Sequence, residues 1–169
     1  AIWTFWGIAK FGWSEAMVGV TLAIFGLIAG AFQGFLTGPA TARFGEWRVA
    51  LFGMVCATLV VLGYGFVWSV LGVFVLMILH GPEGFVHPLL TALLTKRVPE
   101  DAQGELQGGL SAVMNVAMLF GTVFFALIFG HFWAEDRSWR STDVAFWIAA
   151  GCLALTTVLF LLLKRSEKA

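Results

Sequence analysis

Apolar residues run through this chain in long blocks, and the polar residues gather between the blocks instead of alternating within them. Five stretches are long enough to cross a hydrocarbon layer of about 30 Å, which takes about 20 helical residues. They are residues 15–36, 48–67, 69–94, 106–132 and 144–163. A shorter apolar segment, 1–8, reads as the tail of a sixth helix whose beginning is missing. Alternation with a period of two is absent, and an open sheet edge is not tolerated in lipid, so strands are not expected. The pattern predicts an all-α transmembrane bundle.

The punctuation between blocks agrees. Ser14 can cap the helix that starts at Glu15, Gly38-Pro39 is expected to end it, and Pro99-Glu100-Asp101 marks a polar connection. Ser141 and Asp143 can start the last helix. Composition enters as a check: 60% of the residues are hydrophobic and 12% charged, too few charges to cover a water-facing shell. Lys plus Arg equals Asp plus Glu, ten each, so no basic surface argues for nucleic acid as a partner. Cys56 and Cys152 lie inside apolar stretches, where reduced thiols are expected.

The basic residues also set a topology. Arg43, Arg48, Lys96, Arg97, Lys164, Arg165 and Lys168 fall on one side if every span crosses, against Lys10, Arg137 and Arg140, which share the opposite side with Glu135, Asp136 and Asp143. Seven against three places the C-terminus in the cytoplasm. Trp13, Trp47, Trp68, Trp133 and Trp139 sit at span ends, where an aromatic belt is expected.

Candidate chemistry concentrates in the third span, in Leu79-His80-Gly81-Pro82-Glu83-Gly84-Phe85-Val86-His87-Pro88. Charge at mid-membrane depth costs at least about 2.5 kcal/mol, so ionisable groups there need shelter. At about 100° per residue, His80, Glu83 and His87 fall within a sector about 60° wide and face one direction. Pro82 and Pro88 are each expected to kink the helix, while Gly81 and Gly84 permit close approach. Three readings stay open: a proton or substrate site, a satisfied polar cluster tying helices together, and a metal held at i, i+3 and i+7.

Gln33, Gln107 and Asn115 are uncharged polar residues in or beside spans, suited to helix–helix hydrogen bonds or to ligand contacts. Gly26-x-x-x-Gly30 and Gly104-x-x-x-Gly108 offer small-residue faces for tight packing. His131 lies at a span boundary and carries no assigned role. No nucleophile constellation or phosphate-cradling glycine loop appears, and an enzyme with a cofactor is not expected.

Gly38-Pro39-Ala40-Thr41-Ala42-Arg43-Phe44-Gly45-Glu46-Trp47-Arg48 resembles the short cytoplasmic loop signature of the major facilitator superfamily. Phe11-Gly12-Trp13-Ser14, Gln33 through Pro39, and Gln103-Gly104-Glu105-Leu106-Gln107-Gly108 resemble the C-terminal half of tetracycline-resistance-type drug:proton antiporters. The resemblance implies that residues 1–169 form the six-helix C-terminal half of such a fold, from the end of its seventh helix through its twelfth. It implies proton-coupled efflux of small amphipathic drugs by alternating access. The implied partners are a small-molecule substrate, protons, membrane lipid, and the N-terminal half or other membrane subunits; the implied location is a bacterial inner membrane.

In that frame His80, Glu83 and His87 lie on the tenth helix, which lines the central cavity, with Gln33, Gln107 and Asn115 as secondary candidates. Gly38, Arg43, Gly45 and Arg48 belong to the conformational-switch loop. The chain departs from the family at Glu83, at His87 and at Gly121-Thr122, where a Gly-Pro pair is usual. An alternative function is a half-length, transport-inactive protein serving as an accessory or scaffolding subunit.

Overall fold

A computed structural model describes residues 2–134 and 138–166, apart from the side chains of 165 and 166. Glu135, Asp136, Arg137 and Lys168, used above for topology, lie outside the described residues. The helices are α1 (Ile2–Phe11), α2 (Glu15–Ala31), α3 (Thr37–Phe44), α4 (Glu46–Tyr64), α5 (Val70–Leu79), α6 (Val86–Thr95), α7 (Gln103–Trp133) and α8 (Val144–Ser166). A π turn over Phe32–Leu36 joins α2 to α3, and 3-10 turns cover Gly81–Phe85 and Glu100–Ala102. Five of the resulting continuous helical stretches are long and apolar enough to span a membrane: Glu15–Phe44, Glu46–Tyr64, Val70–Thr95, Glu100–Trp133 and Val144–Lys164. The all-α expectation holds, and among the described residues there is no strand.

The caps form as the side-chain chemistry predicts. Ser14 Oγ accepts from the Met17 amide at 3.2 Å and Ser69 Oγ from the Gly72 amide at 3.1 Å, each using one of the unpaired N–H groups at a helix start. Gly38-Pro39, by contrast, does not end its helix. The π turn takes up the disturbance: the Thr37 amide donates to the Phe32 carbonyl, and Pro39 falls in the first turn of α3, where a missing N–H is tolerated. The chain reverses instead at Gly45, whose φ of +83° suits a residue without a β-carbon. One residue separates α3 from α4, so most of the loop signature is helical.

α4 lies at the centre of the bundle, burying Val49, Ala50, Gly53, Met54, Ala57, Val60 and Tyr64. Two apolar cores sit at its two ends. One gathers Trp6, Trp13, Val60, Tyr64, Met77 and Phe146; the other gathers Val49, Ala50, Met54, Phe85, Leu89 and Phe160. The tryptophans expected at the span ends differ in exposure. Trp68 and Trp139 are exposed, but Trp13 folds back over Gly7 into the first core, and Trp47 stacks on Phe160 with ring centroids 3.7 Å apart.

α7 stands apart, with every residue from Ser111 to Phe120 exposed. The small-residue faces also differ from expectation. A β-carbon at Gly26, Gly30, Gly104 or Gly108 would meet open space, so these glycines pack against nothing within the described chain.

Candidate functional site

The third span leaves α-helical winding once, over Gly81–Phe85. α5 stops at Leu79, the His80 carbonyl accepts from the Glu83 amide at 3.0 Å, and a 3-10 segment over Gly81–Phe85 leads into α6. Pro82 opens that segment. Pro88 is the third residue of α6, inside the first turn, where a missing N–H is tolerated. The break is clamped from two sides: Gly53 of α4 lies against the Pro82 carbonyl, while the Phe32 ring lies on Gly81 and the Ala29 carbonyl faces Gly84.

This geometry changes the helical-wheel expectation. Each residue of a 3-10 turn advances about 20° further than in an α-helix, so five of them rotate His87 by about 100° from its α-helical direction. His80 and Glu83 stay together, with Nε2 3.7 Å from Oε2, a contact that becomes an ion pair when the imidazole carries a proton. His87 sits apart, its Nε2 3.2 Å from Met114 Sδ on α7. Among the described residues no three His, Cys, Asp or Glu side chains gather as metal ligands.

His80 and Glu83 occupy different surroundings. The His80 side chain is 11% exposed and that of Glu83 47%. The imidazole centroid lies 5.3 Å from Phe25 and 5.9 Å from Tyr64, at the wall of a cavity of about 190 Å³ also lined by Trp3, Leu22, Val61 and Phe146. The pair thus joins a sheltered base to an accessible carboxylate, an arrangement able to hand a proton between them. Gln33 lies exposed in the π turn, and Gln107 and Asn115 lie exposed on α7. Among the described residues none of these three side chains makes a hydrogen bond, so helix-to-helix bonding does not account for them.

In the loop signature, Gly45 makes the turn, Gly38 is exposed within α3, and the Arg43 guanidinium lies 5.4 Å from the Phe44 ring centroid. Arg48, in the first turn of α4, reaches into a crevice beside Phe52 and Phe85.

A family model described as Major Facilitator Superfamily matches residues 1–169. The chain belongs to the major facilitator superfamily. Among the relatives of this major facilitator chain are the class C tetracycline resistance protein of Escherichia coli, 34% identical over 92% of the chain and 38% of that protein, and the class G protein of Vibrio anguillarum, 34% identical over 92% and 38%. The class B protein of Escherichia coli is 30% identical over 77% and 32%. The chain spans less than two fifths of the length of these relatives. No solved structure matches it. Membership and the five apolar spans make it part of a multi-pass integral membrane protein.

Sequence reasoning missed two ion pairs in this major facilitator chain. Lys96 Nζ contacts both carboxylate oxygens of Glu46, at 2.6 and 2.7 Å, tying the start of α4 to the end of α6. At the opposite end, Asp143 Oδ1 accepts from Lys10 Nζ at 2.7 Å, Trp6 Nε1 at 2.8 Å and Thr142 Oγ1 at 3.1 Å. The available signal was that each pair falls on one side of the assigned topology, beside a span end.

Proposed function

We propose that the protein containing this chain is a secondary transporter that expels small amphipathic drugs such as tetracyclines in exchange for protons. The chain would be its C-terminal six-helix half, with the C-terminus on the cytoplasmic side of a bacterial inner membrane. The two halves would rock about a midplane site. Superfamily membership and relatives named as tetracycline resistance proteins support transport over an accessory role.

The observation that carries the reading is the broken third span, which holds Glu83 accessible and 3.7 Å from a sheltered His80. An ionisable pair in an apolar span is costly unless it is used or satisfied, and the break leaves Glu83 with no other ion-pair partner among the described residues. Glu83 is the proton carrier in this reading and His80 its exchange partner. His87, Gln33, Gln107 and Asn115 face the substrate path. Gly38, Arg43, Gly45 and Arg48 form the switch region between α3 and α4.

The test uses the complete transporter in proteoliposomes with an imposed pH gradient. Glu83→Gln is expected to abolish gradient-driven tetracycline movement while helical content and drug binding persist. Undiminished gradient-driven transport by that variant would remove Glu83 from the mechanism.

A further inference from the structure

The end of the bundle that carries Arg43, Arg48 and Lys164 contains a crevice that Glu83 does not line. Its volume is about 400 Å³, and it is lined by Ala40, Phe44, Arg48, Val49, Phe52 and Phe85. Five of these six are apolar. Phe44 and Phe52 are 53% and 56% exposed, so the crevice opens on the surface of the described chain beside α3 and α4. The sixth, Arg48, brings a guanidinium to a cleft otherwise without charge.

The local electrostatics leave that guanidinium available. Glu46, the carboxylate nearest in sequence, is held by Lys96 through both oxygens. Among the described residues Arg48 has no ion pair, and Arg43, five positions earlier, meets only the face of Phe44. Lys164 adds a third positive charge at the same end of the bundle, its Nζ 5.3 Å from the centroid of Trp47. Basic residues, an indole and exposed phenyl rings at the end of membrane-spanning helices are the features that hold a lipid at the interface.

We propose that this crevice binds one anionic phospholipid, its phosphate on Arg48 with Arg43 assisting and the upper part of an acyl chain lying between Phe44 and Phe52. Charge complementarity selects the lipid. Two guanidiniums without a carboxylate partner among the described residues favour a headgroup with net negative charge over a zwitterionic one. The apolar walls select a lipid over a free anion, because burial of an acyl chain adds the hydrophobic term that phosphate alone lacks. Phe85 ends the segment that carries Glu83, so the lipid would touch the floor of the broken span from outside.

Native mass spectrometry of the complete polypeptide released from detergent tests the site, with dioleoyl phosphatidylglycerol, dioleoyl phosphatidylcholine and sodium phosphate as probes. One phosphatidylglycerol retained per chain, at least about five-fold above phosphatidylcholine, is expected, and Arg48→Gln should lower that retention about five-fold. Ala40→Trp keeps both arginines and fills the crevice; it too should lower retention, with circular dichroism and Tm reporting an intact fold. Equal retention of the two lipids overturns the proposal. So does unchanged retention by Arg48→Gln or by a folded Ala40→Trp, or displacement of the lipid by millimolar phosphate.

Discussion

Gly53 and Pro82 meet backbone to backbone: a β-carbon at position 53 would stand 2.5 Å from the Pro82 carbonyl oxygen and 2.9 Å from Val86 Cγ2. The first of these is main chain and cannot rotate away. The central helix α4 therefore reaches the broken span only because residue 53 has no side chain. Gly53→Ala should push α4 off the break and cost about 1–3 kcal/mol, as overpacking does elsewhere. Gly26→Ala, which meets open space, is the matched control. Thermal unfolding of the two variants in the same detergent checks this, with a lower Tm expected for Gly53→Ala alone.

The bundle was legible because membrane spans are written in runs of 20 or so apolar residues, and the run ends fell close to the helix ends except in the first span, which continues past Leu36 to Phe44. What was not legible were departures from a straight α-helix. Whether Gly38-Pro39 stops a helix depends on whether the preceding turn can widen, which it does at Phe32–Leu36. Whether Pro88 kinks one depends on where the helix restarts, and it restarts two residues earlier, at Val86. The grouping of His80, Glu83 and His87 was half right for the same reason: a constant 100° per residue does not survive a 3-10 segment. Ion pairs such as Lys10–Asp143 join residues 133 positions apart and leave no local trace in the sequence.

The Trp47 ring lies nearly parallel to that of Phe160, 7° between planes, yet its indole N–H is buried without a hydrogen-bond partner among the described residues. The ring should therefore matter and the N–H should not. Trp47→Ala is expected to lower stability by more than the about 0.5–1.5 kcal/mol of the stacking alone, since apolar burial goes with it. Trp47→Phe keeps a ring and removes an unsatisfied donor, so its stability should stay within about 1 kcal/mol of the parent. Chemical denaturation of both variants separates the two contributions.

Asp143 is the acceptor for three donors on one oxygen, and both members of its pair with Lys10 are less than one fifth exposed. Asp143→Asn leaves a half-buried ammonium without its counter-charge and weakens the bond from the Trp6 indole. Removing one member of a buried pair costs up to about 3–5 kcal/mol, and partial exposure here brings the expectation to the lower end. Lys10→Met combined with Asp143→Asn should recover part of that loss, because the stranded charge is gone. A double-mutant cycle by thermal unfolding reads the difference; a double variant no better than Asp143→Asn would mean that the pair is not the source.

The pair at the other end makes the opposite prediction, although its geometry is tighter. Lys96 holds Glu46 through two contacts at 2.6 and 2.7 Å, but the lysine side chain is 64% exposed and the glutamate 29%. Water already solvates most of the ammonium, and two flexible side chains must be held in one arrangement, so the net contribution falls to about 0–1 kcal/mol. Lys96→Ala should shift Tm little at low salt and still less at 1 M salt, where the Debye length shrinks to about 3 Å. Glu46 and Arg48 stand two positions apart on α4 and do not face each other, so releasing Glu46 should not quench the guanidinium. Retention of phosphatidylglycerol should therefore stay unchanged in Lys96→Ala, as stability does; a fall in retention would show that Lys96 itself holds the lipid.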